Sequence, residues 1–131
     1  MSTALYKQVA GDPTTTSGSY VNIEGLNFTL PHATPGFNAA LVTVNIPQPY
    51  ADGGTSNGIQ YQIDVNGASK ANGMWTNQTS QNGRSPFTMV ALVPLTSATQ
   101  FVQAQWLAVR NGTAHLGGSA SMSALLVDAQ A

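Results

Sequence analysis

The residues from 59 to 65 alternate between apolar and polar side chains without a break. The apolar members are Ile59, Tyr61, Ile63 and Val65. This two-residue period is typical of a β-strand that buries one face. The dipeptide Asn66-Gly67 follows at once and favours a two-residue hairpin turn. The sequence therefore predicts that residues 69–76 return as the antiparallel partner strand.

Short β-prone runs recur along the whole chain, separated by segments rich in Gly, Pro, Asn and Ser. No segment has the pattern of a helix of convincing length. Eight to ten short strands at near-even spacing predict an all-β fold, a jelly-roll β-sandwich. Because no linker or internal repeat divides the chain, we expect residues 1–131 to form a single domain. The predicted strands are residues 3–9, 19–23, 26–30, 37–46, 59–65, 69–76, 87–95, 101–110 and 119–127.

Charge is scarce in this chain. Charged residues make up 7 % of it and the formal net charge is −1, against roughly 25 % charged residues in an ordinary soluble domain. So little charge excludes an electrostatic footprint for nucleic acid or an anionic membrane. It also favours a homo-oligomer, because interface cores are depleted in charged residues. A monomer solubilised by Asn, Gln, Ser and Thr is the alternative.

The sequence contains no cysteine, which excludes a disulfide framework and a thiolate zinc site. Residues 1–13 lack the basic and apolar regions of a conventional signal peptide. No apolar run approaches the ~20 residues needed to span a bilayer. We therefore expect a soluble protein, cytoplasmic by default, with export by a leaderless route left open.

Catalytic patterns are weak. Gly54–Gly58 matches G-x-S-x-G, but a nucleophile elbow joins a strand to a helix, and here a loop leads into a strand. His32 and His115 stand alone, without a second histidine at metal-binding spacing. The scattered carboxylates form no calcium cluster, and a glycosidase pair made of Asp52 and Asp64 is the only acid–base arrangement left open. We expect no enzymatic activity, no metal and no cofactor.

Binding is the stronger hypothesis. Both arginines, Arg84 and Arg110, lie near predicted strand ends, and each guanidinium offers five N–H donors in a fixed plane. Tyr50, Trp75 and Trp106 add aromatic faces that pack against the C–H face of a sugar ring. Trp106, in the middle of a strand, is expected to serve as core or interface packing. These residues, with many Asn, Gln and Thr at loop ends, favour a neutral polyhydroxylated ligand.

Four stretches carry a family resemblance: SYVNIEGLNF, NIPQPYADGG…NGIQYQI, GRSPFTMVAL and FVQAQWLAVRNGTAHL…SASMSAL. Over residues 19–126 the chain resembles the TNF-like fucose-binding lectins, the amino-terminal domain of bacterial superlectins. The resemblance implies a TNF-like jelly roll assembled as a homotrimer. It implies three metal-independent sites for fucosylated oligosaccharides, each between two protomers. It also implies that Gln103, Gln105, Trp106 and serines near Ser121 meet partner chains.

Site residues are carried over from the resemblance by position. Tyr50 and Arg84 match sugar contacts supplied by one protomer. Arg110 and Thr76 match contacts supplied by its neighbour. The resemblance thus implies that two guanidinium groups from different copies meet at one sugar.

Other positions depart from the family pattern. Gln60 and Asn77 stand where the family has tyrosines, and Gln81-Asn82 stand in place of a Ser-Thr pair, in a shorter loop. These departures imply that the monosaccharide pocket is retained while the contacts to further sugars are changed. The identity of the preferred oligosaccharide therefore stays open.

Two other functions stay open at this stage. A structural or receptor-binding trimeric jelly roll, such as a phage or capsid component, would use Arg84 and Arg110 as interface or rim residues without a sugar site. A small glycan-processing enzyme would use Asp52 and Asp64.

Overall fold

The computed structural model describes residues 3–54, 56–76 and 84–129, and in these residues the chain forms strands, turns and loops. No helix in these ranges is long and apolar enough to cross a membrane. The predicted all-β sandwich is confirmed. The strands are β1 (Ala4–Val9), β2 (Thr14–Thr15), β3 (Val21–Leu30), β4 (Ala39–Ile46), β5 (Tyr50–Asp52), β6 (Gly58–Val65), β7 (Ala68–Thr76), β8 (Phe87–Pro94), β9 (Gln100–Val109), β10 (Thr113–His115) and β11 (Ala120–Val127).

Two four-stranded antiparallel sheets form the layers of the sandwich. One has the order β1-β11-β4-β8 and the other the order β3-β9-β6-β7. Alternating side chains from both sheets point inward and form one apolar core, because successive residues of a strand face opposite sides. A small third sheet of order β2-β10-β5 lies at one end. This small sheet positions the candidate site.

The hairpin predicted from the alternating segment is confirmed. β6 and β7 pair antiparallel, and Asn66 (φ 52°) and Gly67 (φ 89°) turn between them. Both residues take the left-handed conformation that a type I′ turn requires, which explains the Asn-Gly choice. The amide of Gly67 donates to Asp64 Oδ2 at 3.0 Å, so this carboxylate stabilises the turn.

Strands β8 and β9 follow one another in sequence but belong to opposite sheets. β8 pairs with β4, whereas β9 pairs with β3 and β6. The inward side chain of Trp106 on β9 is 2 % exposed, and its ring lies 6.4 Å from that of Tyr61. Trp106 is therefore core packing, and the implied contact of Trp106 with a partner chain is wrong.

The outward face of the β3-β9-β6-β7 sheet carries a row of amide side chains. Gln62 donates to Gln105, and Gln105 in turn donates to Asn22 Oδ1 at 2.8 Å. Neighbouring strands place these residues directly opposite one another, so their side chains meet. Gln105, which the resemblance associated with partner chains, is hydrogen-bonded within its own sheet.

Three short strands, β2, β5 and β10, were not predicted. The sequence predicted a loop from residue 51 to residue 58, but Tyr50–Asp52 pairs with Thr113–His115 instead. Three residues are too few for alternation to be recognised. The pairing matters for function, because it places Tyr50 directly opposite His115.

Candidate functional site

Tyr50 lies at the centre of the candidate site. It begins β5 immediately after Pro49, and only 8 % of it is exposed. Its ring stacks on that of His115, with centroids 4.0 Å apart and planes inclined by 11°. This contact follows from the sheet register, since Tyr50 and His115 are paired residues on β5 and β10.

Arg84 covers the Tyr50 ring as well. Its Cζ lies 4.2 Å from the ring centroid, and because His115 occupies one face of the ring, the guanidinium takes the other. A cation over an aromatic face is attracted by the ring quadrupole. Arg84 Nη1 also donates to the carbonyl of Gly117 at 3.1 Å. The predicted pair Tyr50 and Arg84 therefore lies together, in a stack of imidazole, phenol and guanidinium.

Asp12 ties this stack to the loop between β1 and β2. Its Oδ1 accepts a hydrogen bond from the amide of Gly117 at 2.8 Å. Its Oδ2 lies 2.9 Å from His115 Nδ1 and accepts from the Tyr50 hydroxyl at 3.3 Å. On the far side of the imidazole, Nε2 lies 3.0 Å from Asp52 Oδ1. Both nitrogens of His115 thus face a carboxylate.

The surroundings fix the charge states of two of these groups. Partial burial by itself raises the pKa of the Asp12 carboxyl, but the hydrogen bonds from His115, Gly117 and Tyr50 and the charge of His115 outweigh it. The pKa of Asp12 is therefore held below its usual value. Burial, together with the Asp12 charge and hydrogen bond, raises the pKa of Tyr50. At neutral pH Asp12 is a carboxylate that accepts, and Tyr50 is a neutral phenol that donates.

Glycines give the cleft beside this stack its shape. Gly11, Gly117 and Gly118 line it together with Asp12, Tyr50 and Arg84, around a volume of about 270 Å³. Gly117 has φ +79°, and a Cβ there would lie 1.8 Å from the carbonyl oxygen of Gln48. The cleft is small beside the ~300–1,000 Å³ of drug-sized sites, which suits a single sugar ring.

Arg110 lies in a second cleft. It comes directly after the end of β9, and Arg110 (φ 54°) and Asn111 (φ 62°) form the turn into β10. Its Nη1 donates to the carbonyl of Ser56 at 3.3 Å. Gln60, Leu107 and Asn111 line this cleft with Arg110, around about 390 Å³. The sequence predicted Arg110 within the strand, but the left-handed turn projects it from the sheet end instead.

The predicted contacts thus fall into two groups within one chain. Tyr50 and Arg84 line the first cleft, and Gln60 and Arg110 line the second. Thr76 is the last residue of β7 and pairs with Gly58. Gly58 also pairs with Val109, the last residue of β9. The side chain of Thr76 is exposed. Thr76 therefore lies at the same end of the sheet as Arg110. The other predicted contacts, Asn77, Gln81 and Asn82, lie outside the described residues.

The tryptophans do not serve as exposed sugar platforms. Trp75 is 6 % exposed and its Nε1 donates to the carbonyl of Ser85 at 3.0 Å. Trp106 lies in the core. Among the described residues, the aromatic face at the candidate site is that of Tyr50, which the sequence had favoured as a sugar contact.

Asp12, Asp52 and His115 were not predicted to act together. They come from three distant parts of the chain, and no local spacing signals their meeting. The glycosidase pair does not form either. Asp52 lies beside the start of β6, whereas Asp64 lies near its end, about 20 Å away at the rise of a strand. A pair of carboxylates that flank one glycosidic bond lies within about 10 Å.

The model of the Bc2l-C N-terminal domain family matches residues 11–125, which is most of the chain. The chain belongs to the Bc2l-C N-terminal domain family. This is a family of lectin domains, so carbohydrate binding is the function class that the Bc2l-C N-terminal domain match supports. No curated protein matches the sequence significantly.

Three solved structures that resemble the chain have low sequence identity to it. The VP2 subviral particle of infectious bursal disease virus aligns with a TM-score of 0.56 and 3 % identity, over 94 % of this chain and 33 % of VP2. The chain thus spans about a third of VP2, and the likeness shows the β-sandwich fold alone. The EclA C-terminal domain, a sugar-binding protein, aligns with a TM-score of 0.47 and 13 % identity, over 87 % of this chain and 78 % of EclA. The CBM36-1 domain of a hindgut-metagenome xylanase from Trinervitermes trinervoides aligns with a TM-score of 0.46 and 13 % identity, over 98 % and 99 % of the two chains.

Proposed function

We propose that this protein is a non-enzymatic lectin that binds fucosylated glycans without a metal ion, at sites shared between neighbouring protomers of a homotrimer. The observation that carries the proposal is the division of the predicted contacts into two clefts. Tyr50 and Arg84 form one half-site, and Arg110 and Gln60 form the other. A site completed by two copies of the chain explains why each half alone offers so few contacts.

The first half-site has the chemistry that a neutral sugar needs. Arg84 supplies a planar donor group, and Asp12 supplies a carboxylate oxygen that accepts hydrogen bonds from hydroxyls. The glycines beside them leave backbone N–H and C=O groups close to the cleft. The hydroxyls of fucose both donate and accept, so this mixture of donors and acceptors is complementary to them.

The second half-site adds a second guanidinium and an apolar wall. Arg110 is exposed and is anchored to the Ser56 carbonyl by one N–H, which leaves further N–H groups directed toward solvent. Leu107 and the amide of Gln60 line the same cleft. An apolar wall beside a donor suits a deoxy sugar, because its methyl group needs a dry contact.

The outward face of the β1-β11-β4-β8 sheet supports assembly with further copies. Leu125, Leu41 and Leu92 lie side by side on β11, β4 and β8. Leu92 is 53 % exposed and Val90 on the same strand is 54 % exposed. Every outward position of these three strands is uncharged. Burial of this face between copies accounts for the scarcity of charge in the sequence.

The trimer would also compensate for weak single sites. Each half-site is shallow and hydrated, so one fucose unit contributes few apolar contacts. Three sites held on one assembly raise the effective affinity for a multivalent glycan by ~10²-fold or more when they engage together.

Calorimetric titration with L-fucose, with and without a chelator, tests the proposal. We expect weak binding that the chelator does not change, and its loss in Arg84→Ala and in Arg110→Ala. Each deletion leaves sugar hydroxyls unpaired and costs ~1–3 kcal/mol. Lys70→Ala is the matched control, because Lys70 is an exposed cation on β7 that lines neither cleft.

Other outcomes separate the alternatives. Heat of binding with another sugar but not with fucose would support a lectin and contradict the specificity for fucose. Absence of binding across a glycan array would favour a structural or receptor-binding trimer. Slow release of free sugar would favour an enzyme.

A further inference from the structure

We propose that His115 is a positioning residue: in its imidazolium form it bridges Asp12 and Asp52, holds Tyr50 in the binding conformation and makes sugar affinity depend on pH. This inference rests on the proposed function, because it assigns a regulatory role at the same half-site. His115 does not line the cleft. It would act through the tyrosine stacked on it.

The geometry requires two donors on one imidazole ring. Nδ1 lies 2.9 Å from Asp12 Oδ2, and Nε2 lies 3.0 Å from Asp52 Oδ1. A neutral imidazole carries one N–H and one lone pair, whereas the imidazolium carries two N–H groups. The neutral form therefore turns a lone pair toward one of the two carboxylates. Both contacts are favourable only when the ring is protonated.

The groups that face His115 come from two elements in the described part of the chain. Asp12 approaches from the loop between β1 and β2, while Asp52 and Tyr50 approach from β5. Arg84 lies beyond the Tyr50 ring, on the face opposite His115. Two carboxylates thus face the edge of the imidazole ring, and the phenol of Tyr50 separates the ring from the one guanidinium nearby.

The consequence for Tyr50 follows from its contacts. Its ring lies flat on the imidazole at 4.0 Å, and its hydroxyl shares Asp12 Oδ2 with His115. Deprotonation of His115 weakens the stacking, because a cation is attracted to the aromatic face. It also releases one of the two carboxylates. If this is Asp12, the carboxylate that accepts from the Tyr50 hydroxyl and the Gly117 amide loses the contact with His115 that helps to hold it in place.

The direction of the pH dependence follows. The bridge is complete while both ring nitrogens of His115 carry a proton, and it is lost when a rise in pH removes one of them. The Tyr50 phenol stays neutral throughout, because its pKa is raised. Affinity for L-fucose should therefore fall about fivefold between pH 6 and pH 9, the change in a binding constant equivalent to losing one ordinary hydrogen bond.

Nuclear magnetic resonance of the full chain tests the positioning step without any ligand. We expect the Tyr50 ring signals to shift with the same midpoint as the His115 imidazole nitrogens, and not with those of His32. His32 is exposed at the start of the loop after β3 and serves as the internal control. Asp12→Asn should break the coupling between the two sets of signals, since it removes the carboxylate that Tyr50 and His115 share. Tyr50 signals that ignore the His115 titration would overturn the proposal.

Titration with L-fucose at pH 6, 7.5 and 9 tests the coupling to binding. Wild-type protein and His32→Gln should both weaken about fivefold at high pH. His115→Gln should bind with a flat profile, at the level of the wild-type protein at pH 9. A wild-type affinity that stays constant while His115 loses its proton would overturn the coupling. Absence of fucose binding at pH 6 would instead refute the proposed function, and the magnetic resonance experiment would still decide the positioning role.

Discussion

Gly117→Ala should damage the candidate site more than any other loss or gain of one methyl group. The Gly117 amide donates to Asp12 and its carbonyl accepts from Arg84, so one residue anchors both charged walls of the first cleft. An added Cβ would lie 1.8 Å from the carbonyl oxygen of Gln48 and 3.4 Å from Cδ1 of Tyr50. The backbone before Tyr50 has to move to make room.

Two costs add to give the magnitude. A residue with a Cβ at φ +79° is strained by ~1–2 kcal/mol. Relief of the collision with Gln48 adds ~1–3 kcal/mol, as for overpacking elsewhere. We expect the free energy of unfolding to fall by ~2–5 kcal/mol. L-fucose affinity should fall by at least ~10-fold, because the anchors of both Asp12 and Arg84 shift.

Gly36→Ala is the matched control. Gly36 has φ +91°, and a Cβ there would meet nothing within 4 Å. It carries the same backbone strain without the collision, so its loss of stability should stay near ~1–2 kcal/mol and its sugar affinity should equal that of the wild type. Urea denaturation and calorimetric titration of the two variants give the comparison. Equal stabilities, or undiminished fucose binding in Gly117→Ala, would refute the reasoning.

Three further predictions concern the core, the acid stability and the assembly. Tyr61→Phe should leave the free energy of unfolding unchanged or raise it by up to ~2 kcal/mol in urea denaturation, because the buried Tyr61 hydroxyl has no hydrogen-bond partner among the described residues. A clear loss of stability would mean that the hydroxyl is paired. The stability contributed by Asp12 is present above the ordinary carboxyl pKa and is lost as the pH falls through its lowered folded pKa. When unfolding is followed from pH 6 to pH 2, the free energy of unfolding should therefore decline less steeply below about pH 4 in Asp12→Asn than in the wild type. Identical pH profiles would contradict this. Leu41→Lys, in the apolar row of the β1-β11-β4-β8 sheet, should convert the proposed trimer to monomers in analytical ultracentrifugation, whereas Thr29→Lys on the other sheet should not. A Leu41→Lys variant that still forms a trimer would show that this face is not the interface.

The regular part of the fold could be predicted from the sequence. Alternation in residues 59–65 and the Asn66-Gly67 turn predicted the β6–β7 hairpin, because both signals are local. Two strands were predicted at residues 19–23 and 26–30, and they form the single strand β3, whose register against β9 shifts between Asn22 and Asn27. Local patterns predicted these features because they need no knowledge of distant residues.

The site could be predicted only in part. The positions of Tyr50 and Arg84 came from a family resemblance, and the structure brings the two side chains together. Asp12, Asp52 and His115 meet because β5 pairs with β10 and the loop after β1 folds over them. Long-range pairing of very short strands leaves no periodic trace in the sequence. For the same reason Trp75 was proposed as a sugar contact although it is buried.

Mixing two inactive variants tests the central claim most directly. Arg84→Ala retains an intact Arg110, and Arg110→Ala retains an intact Arg84. In a trimer whose sites lie between protomers, random co-assembly of the two after joint unfolding and refolding places both arginines together at about a quarter of the interfaces. L-fucose titration should then recover about a quarter of the wild-type sites in the mixture and none in either variant refolded alone. Absence of binding in the mixture, with trimers formed and wild-type binding intact after the same treatment, would contradict a site shared between copies.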